Sequence, residues 1–339
     1  MEQRKVMLLG RSSLVISLPK HWVKLNEIKQ GDVVSTRVRR DRSLEIFPGI
    51  ERKKEEKKIT LYVGPNEKGA SIARSITSCY LNGYFSIKLV SRTTFSTPQQ
   101  KTIRRISGVL YMRIIESDSK NMQLTTLIDE SKASIRTTIS RMHIIADSMS
   151  RDALTALKDQ NAELAKTVYS LDDDVDHFAF FLLRLLRTAI TDSALIKQLE
   201  LDPIDCLDYQ TLVYRIEHVA DNVANIAKQI IMLQGRTKSI PDSLLKQLFT
   251  SGFEATDAYT KAVNYFLSNN VTECNEIIDR QKKIEEADQK IASQSFSIPN
   301  LDGETICSIC NIRDSIKRIA EWAALIAEST ILRSYIERT

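Results

Sequence analysis

Glycine and proline are scarce in this 339-residue sequence, at 10 and 7, and aromatic residues make up only 6% of it. Sandwiches and barrels need turn residues at short intervals and draw on aromatic strand pairs, so the shortage argues against both and for long helices. No apolar run approaches the roughly 20 residues needed to cross a bilayer. The nearest, FAFFLLRLL, is short and is broken by Arg184. The opening residues MEQRKVMLLG lack the apolar core of a secretory leader. Five cysteines (Cys79, Cys206, Cys274, Cys307 and Cys310) are odd in number and scattered, which argues against a secreted disulfide framework. Cys307 and Cys310 form a CxxC, but with no second pair and no nearby histidine they read as small residues on a helix face. The expectation is a cytoplasmic protein without membrane insertion.

Catalytic signatures are also missing. There is no G-x-S-x-G elbow and no H-E-x-x-H. The stretch Gly64–Pro65–Asn66–Glu67–Lys68–Gly69–Ala70–Ser71 follows a strand-like run as a phosphate loop should, yet Ala70 stands where the lysine is needed. A nucleotide site is not expected there. The expectation is that the chain is not an enzyme; a metal-dependent phosphatase would need an open coordination site in a concave pocket.

What is present is an ordinary soluble balance, 42% hydrophobic and 27% charged, over a length that accommodates two or three domains. The net charge of +5 is uneven. Residues 1–60 hold 15 Lys or Arg against 8 Asp or Glu, and the remainder is slightly acidic. Basic charge gathered at one end points to an anionic partner there, nucleic acid first.

Residues 4–48 read as a small β-rich unit: VMLL and LVISL as strands around Gly10, a helical turn opened by Pro19, a Gly31–Asp32 turn into VVSTRVR, and SLEIF returning after Asp41–Arg42. About 45 residues cannot bury a stable core alone, so a homodimer is expected. Residues 51–58, ERKKEEKK, read as a solvated linker. KITLYVG, EKGASIARSITSCYLNG, YFSIKLV, a helix near 98–106 and GVLYMRIIES make a small α/β module within 51–118. From about 119 the spacing is helical throughout, with turn signals near 200–204, 235–242 and 299–303. LDDDVDHF is echoed by KIEEADQK, and YRIEHVADNVANIAK by DSIKRIAEWAALIAE. These mark two copies of a three-helix unit, over 119–235 and 236–339. The predicted fold is mainly α, tandem three-helix bundles preceded by a small β domain at 1–50 and the α/β module.

Two carboxylate pairs stand out within the first copy: Asp172 with Asp176, and Glu217 with Asp221. Spacing of i,i+4 stacks each pair on one helical face, among apolar neighbours such as Leu171, Val175, Phe178, Ile216, Val219, Ala220, Val223 and Ile226. Four like charges gathered there repel, at about 4 Å by roughly 1 kcal/mol per contact in water and about 4 at an effective dielectric near 20. A cation is the simplest remedy. Carboxylate ligation suits a divalent or trivalent metal ion of the Mg, Mn or Fe class. His177 and His218, one residue from these acids, should point roughly 100° away around the helix and not act as ligands. The Glu-x-x-His pattern of di-iron bundles is absent.

Two resemblances follow from these residues. GRSSLVISLPKHWVKLNEIKQGDVV followed by SLEIFP resembles the AbrB/SpoVT-like swapped-hairpin DNA-binding domains. That family interleaves two chains and presents basic side chains to DNA, which implies a role for Lys5, Arg11, Lys20, Lys24, Arg37, Arg39, Arg40 and Arg42. The helical repeat resembles the PhoU family of phosphate-uptake regulators, in the archaeal type that joins an AbrB-like domain to a tandem bundle. The resemblance implies metal ligation by [Glu/Asp]-x-x-x-Asp motifs, here Asp172, Asp176, Glu217 and Asp221. It also implies contact with the ATPase subunit of a phosphate ABC transporter or with a sensor kinase. The second repeat departs from the motif: Ile284 replaces the first acid, leaving Asp288, and Lys317 replaces the third, leaving Glu321, so a second metal site is not expected. The functional expectation is a phosphate-responsive regulator of phosphate uptake that binds DNA through its N-terminal domain and metal and a partner protein through its bundle. The alternative is an adaptor that docks on the transporter or kinase, the N-terminal domain only dimerising.

Overall fold

In the N-terminal residues, strand-forming runs are short and each is turned by a residue with positive φ. β1 (Met7–Leu9) and β2 (Ser13–Val15) form an antiparallel hairpin in which Leu8 faces Leu14, turned at Gly10 (φ +68°). α1 (Lys20–Leu25) follows Pro19, and a second antiparallel hairpin pairs β3 (Val34–Val38) with β4 (Leu44–Pro48), where Val38 faces Leu44. The structure, a computed structural model, describes residues 3–38, 42–49, 56–128, 133–234, 240–298 and 301–335, the side chains of Arg37, Ser193 and Phe296 excepted. The described residues up to Gly49 form one compact unit and those from Glu56 another. In the first, no described residue is buried, and Leu8, Leu9, Leu14, Val38 and Leu44 are all more than half exposed.

The second unit begins with a four-stranded sheet. β5 (Lys58–Val63), α2 (Gly69–Leu81), β6 (Ser86–Ser91), α3 (Thr97–Val109), β7 (Met112–Ser117) and β8 (Asn121–Thr126) follow one another. The spatial order is β5-β6-β8-β7, with β5 and β6 parallel and the other pairs antiparallel. Both helices cover one face, burying Ile72, Ile76, Tyr80 and Ile103 against Ile87, Leu89 and Leu124. α3 starts at a capping box of Ser96 and Gln99 with Pro98 in its first turn. In the glycine-flanked loop before α2, the Glu67 carboxylate accepts from the Gly64 amide (3.1 Å) and the Ser71 hydroxyl (2.9 Å), so a negative charge of the chain itself sits where a phosphate would.

The helical region predicted to begin near 119 in fact begins later, because residues 121–126 are strand β8. Asp118 accepts from the amides of Lys120 and Asn121 and closes a tight turn, and NMQLTT then inserts between β6 and β7. The sheet therefore runs past the boundary expected at 118.

The bundle comprises α4 (Ile135–Asp159), α5 (Ala162–Ser170), α6 (Asp172–Thr191), α7 (Ser193–Gln198), α8 (Pro203–Met232), α9 (Asp242–Ser268), α10 (Cys274–Phe296) and α11 (Gly303–Ser334). The second copy has the predicted three helices. The first has five among the described residues, because the chain breaks at Leu171, which ends α5 and begins α6, and again at Asp192, whose side chain caps α7. α8 packs on α4, α5, α6 and α11, while α11 packs on α8, α9 and α10. The seam between the copies is polar in places: His143 Nδ1 lies 3.1 Å from the Tyr259 hydroxyl, and Asn225 donates to the Ser315 hydroxyl at 2.9 Å. Arg184, buried on α6, donates to the carbonyls of Tyr80 and Tyr84 and so ties the sheet module to the bundle, with Phe180 packed into the module's core. No described helix is long and apolar enough to cross a membrane.

Candidate metal centre

Asp172 and Asp176 lie in the first two turns of α6, where the helix N-terminus favours negative charge, yet Val175 between them is fully buried and holds the pair against the bundle. Glu217 and Asp221 sit in the middle of α8, flanked by buried Ile216, Val219, Ala220 and Val223. Packing α6 on α8 brings the two pairs near enough to act on each other electrostatically, although the donors that fall within 4.8 Å of one another as a group of three are those of Glu217, His218 and Asp221 and include neither α6 acid. Glu217 is pushed up to about 8 by burial and by Asp221, Asp176 and Asp172. Asp172 is raised to about 7 by burial, then by Asp221, Asp176 and Asp173. Asp176 is raised to about 6 by burial, then by Asp221 and Asp173, with Arg105 opposing. Asp221 is raised by burial, with His218 opposing. A cluster that is costly to ionise by itself suits a bound cation, and the carboxylate donors fit a hard or borderline ion.

Two features were not legible in the motif spacing. His218 does not point away: its Nδ1 lies 3.1 Å from a Glu217 oxygen and 3.9 Å from Asp221, and donor atoms of Glu217, His218 and Asp221 all fall within 4.8 Å of one another. One residue's offset fixes the direction of Cα–Cβ, but the imidazole swings back about its own torsions. The ring stacks on Trp322 of α11, centroids 4.8 Å apart at 30°, and Trp322 Nε1 is buried without a hydrogen-bond partner. The sheet module also borders the site. The charge of Arg105 on α3 partly offsets the rise at Asp176, and the Tyr111 ring lies 5.0 Å from that of His177.

In the second repeat Asp288 is already neutralised. Arg313 forks onto both of its oxygens at 2.9 and 2.8 Å, the pair is largely buried, and Ile284, Asp288, Arg313 and Lys317 line a space with no volume for a water. Arg313→Ala is expected to destabilise the protein by about 3 kcal/mol, since it strands a buried carboxylate, and adding Asp288→Asn should recover much of that in urea unfolding. Additive losses would argue against the pairing. A groove of about 830 Å³ lies between α9 and α10, and none of the four acids lines it.

Of the basic residues singled out for DNA, Lys5, Arg11, Lys20, Lys24 and Arg42 are exposed on the N-terminal unit. Arg39 and Arg40 lie outside the described residues, as does the Arg37 side chain.

Comparison with known proteins gives two family matches: the PhoU domain at residues 139–230, and the antidote-toxin recognition MazE family of bacterial antitoxins at residues 8–58. A search of curated proteins gives no match. Among solved structures, PhoU from Pseudomonas aeruginosa is similar at 17% identity with a TM-score of 0.51, covering 58% of this chain and 93% of its own. The phosphate transport system regulatory protein PhoU from Streptococcus pneumoniae is similar at 14% identity and a TM-score of 0.52, covering 60% and 95%. At these identities the likeness is one of fold. The PhoU match spans α4 to α8 and thus both acid pairs, and the MazE match spans both hairpins: the chain carries a PhoU domain in its helical region and a MazE/AbrB-like domain at its N-terminus.

Proposed function

We propose that this chain is a phosphate-responsive regulator of phosphate uptake, a DNA-binding transcription regulator whose bundle carries a metal ion and docks on a partner protein. The observation that carries the reading is the joining of a PhoU domain to a MazE-type domain in one chain. The four acids Asp172, Asp176, Glu217 and Asp221 would hold a divalent or trivalent ion, which supplies the positive charge their cluster lacks. The N-terminal unit, with no buried residue among those described, reads as half of a homodimeric domain, and its exposed lysines and arginines as phosphate contacts. The S. pneumoniae relative is called a regulatory protein of phosphate transport, which supports a partner in that system, an ABC transporter's ATPase subunit or a sensor kinase.

A second reading has its own support: the N-terminal unit exposes apolar strand pairs, so it serves dimerisation alone and the protein acts as an adaptor on the transporter or kinase. Chromatin immunoprecipitation from phosphate-replete and phosphate-starved cells separates the two. Discrete peaks at phosphate-uptake genes that change with phosphate are expected. A profile equal to that of an untagged control would leave the adaptor reading.

A further inference from the structure

We propose that His218 is a nitrogen ligand of the metal centre, steadied by Trp322, and that it gives the centre a preference for late first-row transition ions over magnesium. The inference rests on the reading above, that the acids bind metal. The α6–α8 motif supplies only oxygen donors, and oxygen donors alone do not distinguish Mg²⁺ from Mn²⁺ or Fe²⁺ except by size and geometry. His218 changes the donor set. Its Nδ1 lies between the carboxylates of Glu217 and Asp221, at 3.1 and 3.9 Å, and the three donors lie close enough to share one ion. An imidazole beside carboxylates suits Fe, Co or Zn far better than Mg²⁺, which takes oxygen ligands and retains its waters.

The ring is also held. Trp322 stacks on one face of it, centroids 4.8 Å apart. A ligand whose rotamer is locked by packing keeps its donor atom in place before the ion arrives. Trp322 belongs to the second repeat, at the position that corresponds to Asn222 of the first. The repeat that has lost its own acids at Ile284 and Lys317 thus contributes the indole that positions a donor in the other.

The rival role for His218 is a counter-charge that merely offsets Glu217 and Asp221. Three full-length variants separate the roles: His218→Gln, His218→Lys, which keeps a cation without a free donor at neutral pH, and Trp322→Ala. With Mn²⁺ as probe, electron spin-echo modulation of the wild type should show a coupled ¹⁴N that vanishes in both His218 variants. Titration with Co²⁺ and Mg²⁺ should show Co²⁺ binding weakened at least about 10-fold by either His218 substitution, with Mg²⁺ changed by less than about two-fold. Trp322→Ala should weaken Co²⁺ by a smaller factor and leave the nitrogen coupling visible. Nitrogen coupling that persists without His218, equal loss for both ions, or rescue by lysine would overturn the proposal while leaving the carboxylate site standing. A wild type that binds none of the three ions would overturn both.

Discussion

Protein stripped of metal is expected to lose stability as the pH is raised from 5 to 8, by about 2–4 kcal/mol, the loss coming from Asp172, Asp176 and Glu217 and already discounted for their partial exposure. Burial and mutual repulsion place these carboxyls at about 7, 6 and 8, all above the ordinary range near 4. A carboxyl with a folded pKa above its unfolded one binds its proton more tightly in the fold. Its contribution is therefore complete below about pH 4 and is lost as the pH climbs through 6 to 8. His143 runs the other way: burial lowers it from 6.5 to about 4, so its contribution is present above 6.5 and lost as the pH falls toward 4. The two trends oppose each other, so the acid cluster is isolated by difference. Saturating ion should abolish the loss above pH 6, adding about 2.7 kcal/mol at a hundred times Kd. Glu217→Gln should stabilise the stripped protein at pH 8 and remove the response to metal. Urea unfolding across the pH range, with and without the ion, reads all of this. A stripped wild type whose stability changes between pH 5.5 and pH 8 no differently from that of stripped Glu217→Gln, which shares His143, would show that the cluster carries no repulsion needing a cation.

Replacing Leu8 and Leu14 together by Asp should convert a dimer to monomers, weakening association at least about 100-fold. These side chains face each other across the first hairpin and are 65% and 72% exposed in one copy. Val38 and Leu44 repeat the arrangement in the second hairpin, at 70% and 52%. Burying one leucine is worth roughly 1.5–3 kcal/mol, so losing two exceeds the 2.7 kcal/mol or so that corresponds to 100-fold. Paired aspartates also add repulsion across the strands. Sedimentation equilibrium of wild type and variant reads the change directly. The bundle has its own core, so the variant should keep its helical circular dichroism. An unaltered dimer would place the contact between copies elsewhere.

Much of the architecture is local in origin and could be read from the chain alone. Apolar spacing of 3.6 marks the long helices, turn residues at Gly10 and at Asp41–Arg42 mark the hairpins, and i,i+4 spacing marks Asp172–Asp176 and Glu217–Asp221 as pairs on one face. The echo between the repeats also disclosed the loss of acids at Ile284 and Lys317. Apart from that echo, a comparison of the sequence with itself, each of these follows from residues a few positions apart, where backbone geometry alone sets the relation. What lay beyond that reach was decided by tertiary structure. β8 is a strand because β6 and β7 flank it, not because NMQLTT demands one. His218 turns toward the acids because Trp322, a hundred residues on, stacks on its ring. Arg313 is a counter-ion only because α11 lies against α10 and so meets Asp288. The charge of Arg105 reaches Asp176 because Arg184 and Phe180 fasten a separate sheet module onto α6. Sequence separation carries no distance information once the chain has folded back, and charges respond to distance; the pairs of acids were therefore legible in the sequence, and the groups that surround them only in the fold.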